Sequence, residues 1–78
     1  MTEAEALRWV AELFEEAPGA ISPGTLRTDI AAWDSLGVLT LIAALEDQFE
    51  IALSGSVIQG FETVGDILDI MRKNGKLH

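Results

Sequence analysis

An all-α fold is what this 78-residue sequence predicts: a small four-helix bundle with a long loop between helices one and two and a short third helix. Apolar residues recur at helical spacing in three segments, and each segment follows a residue suited to cap a helix. No stretch between turns alternates apolar and polar residues as a half-buried strand would. Short connections around a single core then describe a bundle.

The first helix starts at Thr2, because Thr2 and Glu5 have the spacing of a capping box. Leu7, Val10 and Phe14, with Ala11 and Leu13 beside them, form its inward face, while Glu3, Glu12, Glu15 and Glu16 turn mostly away. Pro18 and Gly19 are expected to stop it. From Pro18 to Trp33 runs a long connection of Gly, Pro, Ser and Thr with a few apolar residues. Leu26, Ile30 and Trp33 are expected to pack this loop on the core.

The second helix is expected from about Ser35 to Glu50, with Asp34 accepting hydrogen bonds from N–H groups of its first turn. Leu39, Ile42, Leu45 and Phe49 read as its inward stripe. Leu36, Val38, Leu41 and Ala43 leave its first half apolar nearly all the way round, which implies burial on most sides or an apolar patch for a partner. After a turn at Ser54–Ser56, Val57, Ile58 and Phe61 form a short third helix. Thr63 and Asp66 repeat the capping-box spacing, and Val64, Ile67, Leu68 and Met71 follow at i, i+3, i+4 and i+7. Arg72 and Lys73 suit the negative end of that last helix, and Asn74 with Gly75 end it.

Length allows one domain, residues 1–78. No cysteine is present, so disulfides, thiolate metal sites and thiol nucleophiles are excluded. The acidic, amphipathic N-terminus does not read as a secretory leader, and a cytoplasmic location is expected. The longest mainly apolar stretch, Leu36–Leu45, is far shorter than the roughly 20 residues of a membrane span. A net charge of −8 repels phosphate backbones, so no nucleic acid ligand is expected; the acidity suits a protein partner with a basic docking surface, or else only keeps a hydrophobic small domain soluble. No membrane partner is expected either, and the chain is expected to be a monomer.

Ser35 is the residue best placed for chemistry. It stands at the head of a helix, next to partly unsatisfied N–H groups and the positive end of the helix dipole, a setting that favours an attached phosphodiester. Ser22, Ser54 and Ser56 lie in loops without it. Ser35 has no base for hydrolysis, since the one histidine is the terminal His78. Glu46, Asp47 and Glu50 lack the pattern of a calcium loop and read as a solvated helix face, so no metal is expected. Trp9 and Trp33 are assigned to packing. Taken alone, an Asp-Ser pair before an apolar run reads as a cap. Whatever chemistry involves Ser35 is done to this protein by another, and the chain itself is not expected to be an enzyme.

"WDSLGVLTLIAALEDQFEI" followed by "FETVGDILDIM" resembles the acyl carrier protein family. The resemblance rests on Asp34-Ser35-Leu36, Ala44-Leu45-Glu46, Phe49, Ile51 and Thr63-Val64 in order and at family-like distances. It implies that Ser35 receives 4'-phosphopantetheine from coenzyme A through a phosphopantetheinyl transferase, with Asp34 and Leu36 as motif flanks. The thiol of that arm then bears an acyl or aminoacyl thioester for loading and processing enzymes, a ligase, ketosynthase or transferase. It implies too a bundle whose interior, lined by Leu39, Ile42, Leu45, Phe49, Leu53, Phe61 and Val64, admits the acyl chain.

Partner docking is expected on Leu36, Val38 and Ala43 near the serine and on Glu46, Asp47 and Glu50 beyond. Gly37 and Thr40 stand where fatty-acid carriers usually place acids after the serine; with Trp33 before Asp34-Ser35, this looks like a stand-alone carrier of a specialised pathway, polyketide, nonribosomal or a related acyl or amino-acid activation system. The alternative is an unmodified helical adaptor that binds a partner through the apolar face of helix two.

Overall fold

The structure, a computed structural model, describes residues 1–17 and 19–77. Helix α1 spans Glu3–Leu13, α2 Ser35–Phe49, α3 Gly55–Gln59 and α4 Val64–Lys73, with one 3-10 turn at Arg27–Asp29 in the long first loop. The elements thus appear in the expected order, with a short third helix.

Helix α1 begins as its capping box requires: the Glu5 N–H donates to Thr2 Oγ1 at 3.2 Å and the Thr2 N–H donates to Glu5 Oε1 at 2.9 Å. It ends earlier than expected. Glu15 adopts φ 57°, its N–H donates to Glu12 O (3.2 Å), and the Glu16 N–H donates to Ala11 O (2.8 Å). This is the Schellman closure, usually made by glycine. Glu15 carries no sequence mark of it, and Pro18 lies outside the described residues. Helix α4 closes the same way with the expected residue, Gly75 at φ 72°, as the Lys76 N–H donates to Met71 O (2.9 Å).

The core is built where two helical stripes meet. Ala6, Val10, Ala11 and Phe14 come from α1, and Val64, Ile67, Leu68 and Met71 from α4, all buried. The α4 pattern is therefore the one read from sequence. Helix α2 differs. Its buried residues are Gly37, Val38, Leu41 and Leu45, whereas Leu39, assigned to the inward stripe, is 63% exposed, and Ile42 and Phe49 are half-buried. Because the first half of α2 is apolar on almost every side, periodicity does not select a face. A backbone contact does: a Cβ on Gly37 would collide with the carbonyl of Ala32, so this face of α2 lies directly on the preceding loop.

The first loop packs through Ile21, Ile30 and Trp33, all buried, while Leu26, expected to join them, is 49% exposed. Leu26 contributes through its backbone instead, in an antiparallel bridge with Thr63. The Arg27 N–H donates to Glu62 O (2.8 Å), and the Val64 and Gly65 N–H groups donate to Thr25 O (3.0 Å) and Pro23 O (2.8 Å). The loop is thereby bonded to the start of α4. In α3, Ile58 is buried and Val57 is 45% exposed. No helix among the described residues is long and apolar enough to cross a membrane.

Candidate functional site

The site forms where this loop turns into α2. Trp33, 3% exposed, stacks on Phe14 of α1 with ring centroids 5.2 Å apart and planes 16° off parallel. The Arg27 guanidinium lies 5.8 Å from the indole centroid and donates to Gln59 O of α3 (3.0 Å). Both tryptophans serve packing, as expected: Trp9 meets Phe49 edge to face at 5.0 Å and donates its indole N–H to Gln48 (3.0 Å). The chain is thus fixed at Trp33 and again at Gly37 and Val38, with Asp34, Ser35 and Leu36 exposed between these anchors.

Asp34 is the cap. It is extended, and its Oδ1 accepts from the Gly37 N–H at 3.0 Å. The N–H groups of Ser35 and Leu36, the first two of α2, have no hydrogen-bond partner among the described residues. They leave the positive end of the α2 dipole open to solvent at the exposed Ser35. The other serines differ in kind: Ser22 Oγ pairs with Thr25 Oγ1 at 3.2 Å, and Ser54 and Ser56 pair with each other at 3.0 Å. His78 lies outside the described residues.

On the flank of α2 that carries Leu36, Gly37 and Thr40, turned away from Ser35, is a groove of about 330 Å³ between Leu13–Glu15 at the end of α1 and the start of α2, with Ala32 and Asp34 also lining it. Farther along α2 the exposed surface changes character, from Leu36 (72% exposed), Leu39 and Ala43 to Glu46, Asp47 and Glu50. Of the residues expected on a docking face, Val38 is the exception. It is 3% exposed and belongs to the core, since the helix is turned so that Gly37 meets Ala32.

The residues assigned to an interior separate three ways. Leu45 and Val64 are fully buried; Ile42, Phe49, Leu53 and Phe61 are half-buried against the core; Leu39 points to solvent. Gly37 is the positioning residue that sequence reasoning passed over. An isolated glycine in the first turn of an apolar helix, where it costs about 1 kcal/mol relative to alanine, was the available signal.

An exposed hydroxyl at a helix start, next to two N–H donors without partners among the described residues, fits a phosphate-linked arm. Comparison with known proteins agrees. The model of the phosphopantetheine attachment site family matches residues 8–71. The meromycolate extension acyl carrier protein of Mycobacterium leprae is 27% identical over 77 residues, covering 94% of this chain and 67% of that protein. The acyl carrier protein of Clostridium perfringens is 36% identical over 50 residues, 64% of each. No solved structure matches. The chain belongs to the phosphopantetheine attachment site family, and it is a carrier with 4'-phosphopantetheine as its covalent cofactor, not an enzyme.

Proposed function

We propose that Ser35 is the attachment residue and that the chain carries an acyl group as a thioester on the arm held there. The observation that carries this reading is the exposed Ser35 hydroxyl at the first residue of α2, beside unpartnered N–H groups and between the buried anchors Trp33 and Val38. Attachment by a phosphopantetheinyl transferase forms one phosphate ester bond at Ser35 Oγ and breaks the pyrophosphate bond of coenzyme A. The nucleotide half leaves, and the hydroxyl proton goes to a base on the transferase. Asp34 holds the helix start through its bond to Gly37, and Leu36 presents an apolar side chain next to the reacting oxygen.

A tethered arm then raises the local concentration of cargo for any enzyme docked nearby. The docking face is Leu36, Leu39 and Ala43 near the serine with Glu46, Asp47 and Glu50 beyond, and its partners are the enzymes that load and process the cargo, a ligase, ketosynthase or transferase. Residues 1–78 act as one carrier domain, monomeric and working in the cytoplasm. Gly37 and Thr40 in place of acids, and a relative named for meromycolate extension, favour a specialised acyl pathway.

Incubation with coenzyme A, magnesium and a phosphopantetheinyl transferase active on a control carrier is expected to raise the intact mass by one phosphopantetheine, and Ser35→Ala to abolish the gain. An unchanged mass in the folded parent overturns the assignment.

A further inference from the structure

We propose that the transferase acting on Ser35 seats on α2 through apolar contact, with a nonpolar rim at the mouth of its active site and its basic side chains set roughly 16 Å farther along the helix. This rests on Ser35 as the attachment residue. From Ser35 to Leu45 the helix carries no charged residue, and its acids begin only at Glu46. At a rise of about 1.5 Å per residue, Glu46 lies roughly 16 Å along the axis from Ser35. A basic patch at the enzyme's mouth would find no acid on α2 to meet.

The apolar side chains are aligned with the hydroxyl. At about 100° per residue, Ser35, Leu39, Ala43 and Leu36 fall within one arc of about 100°, all exposed and opposite the buried Leu41 and Leu45. Leu36 is 72% and Leu39 63% exposed, so neither is spent on the core. Single exposed leucines are ordinary; two with an alanine in one strip that ends at the reacting hydroxyl form a contact surface. Thr40, the other hydroxyl in this half of α2, donates to Leu36 O at 3.0 Å and keeps no proton for a partner. Charge complementarity then assigns the far end. Glu46, Asp47 and Glu50 are exposed and suit basic groups of the same enzyme, which act there on the rate of encounter while the apolar contact holds the complex.

The test measures initial rates of modification of the whole chain by a phosphopantetheinyl transferase at low ionic strength, where charge contacts count most. Leu39→Ser, exposed and one turn from the hydroxyl, is expected to raise KM about tenfold with kcat and the urea midpoint unmoved. Leu39→Met, apolar and of similar volume, is expected to stay near the parent. Glu46→Gln combined with Asp47→Asn is expected to raise KM by no more than about threefold. An acid pair that costs as much as Leu39→Ser, a Leu39→Ser variant that behaves as the parent, or a Leu39→Ser loss confined to kcat overturns the apolar seat and leaves Ser35 standing. Failure of a transferase active on a control carrier to modify the folded parent removes Ser35 and the seat together.

Discussion

Helices α2 and α4 begin alike and end up differently used. Each follows an extended cap residue, Asp34 or Thr63, and each has a glycine in its first turn where the first loop crosses closely. At α4 the loop closes the joint: Thr25 and Pro23 carbonyls accept from the Val64 and Gly65 N–H groups, and the Asp66 carboxylate accepts from Glu62 (2.7 Å) and Thr63 (3.1 Å). At α2 the Ala32 carbonyl lies against Gly37 without accepting such a bond, and the Ser35 and Leu36 N–H groups stay open. A helix start becomes a site only where the tertiary structure leaves its donors unspent. The proposed attachment at Ser35 falls on the helix start left open, and the loop's anchor on α4.

The same substitution at both glycines gives the largest contrast. Gly37→Ala places a methyl against a backbone carbonyl that has no room to give, and is expected to destabilise the fold by about 1–3 kcal/mol despite the better helix propensity of alanine. Gly65→Ala meets the Pro23 carbonyl at 3.0 Å, a much milder approach than that of Gly37→Ala to the Ala32 carbonyl, and is expected to lose less. Urea denaturation of the pair is expected to rank them in that order. Equal losses would erase the distinction between the two joints.

Next in size is the cap itself. Asp34→Ala is expected to cost about 1 kcal/mol, and Asp34→Asn, an equally good cap, close to nothing. If modification by the transferase slows equally in both variants, the carboxylate charge matters to the partner; if it slows only in alanine, the bond to Gly37 does.

The smallest effect concerns a third helix start. The Thr2 N–H, and after it the Thr2 hydroxyl, hold the Glu5 carboxyl below its ordinary value. A depressed carboxylate contributes stability that is present above its unfolded value and is lost as the pH falls through the folded one. Acidification should therefore loosen α1, read as an earlier urea midpoint in acid. Glu5→Gln keeps the capping geometry without the titration and is expected to flatten that part of the pH profile.

Where one signal sufficed, the sequence was legible. The α4 stripe, the caps at Thr2 and Asp34 and the end at Gly75 each rest on interactions within a few residues of the chain. The end of α1 was hidden because Glu15 takes a conformation that sequence normally marks with glycine. The inward face of α2 was hidden because Leu36, Val38, Leu39 and Leu41 are all apolar, and the choice among them depends on Ala32 meeting Gly37. Ser35 itself was legible as a helix-tip hydroxyl; the groove made from α1 and α2 together was not.

By itself the chain determined its helices, its acidic charge and the placement of a serine at a helix head, since these follow from local spacing and side-chain chemistry. Only the tertiary structure decided that Leu39 faces solvent and Val38 the core, that the Val64 and Gly65 donors of α4 are consumed while those of Ser35 and Leu36 have no partner among the described residues, and that a groove opens between α1 and α2. Those outcomes depend on where a distant loop's carbonyls come to rest, and a polar group's availability is fixed by everything packed around it.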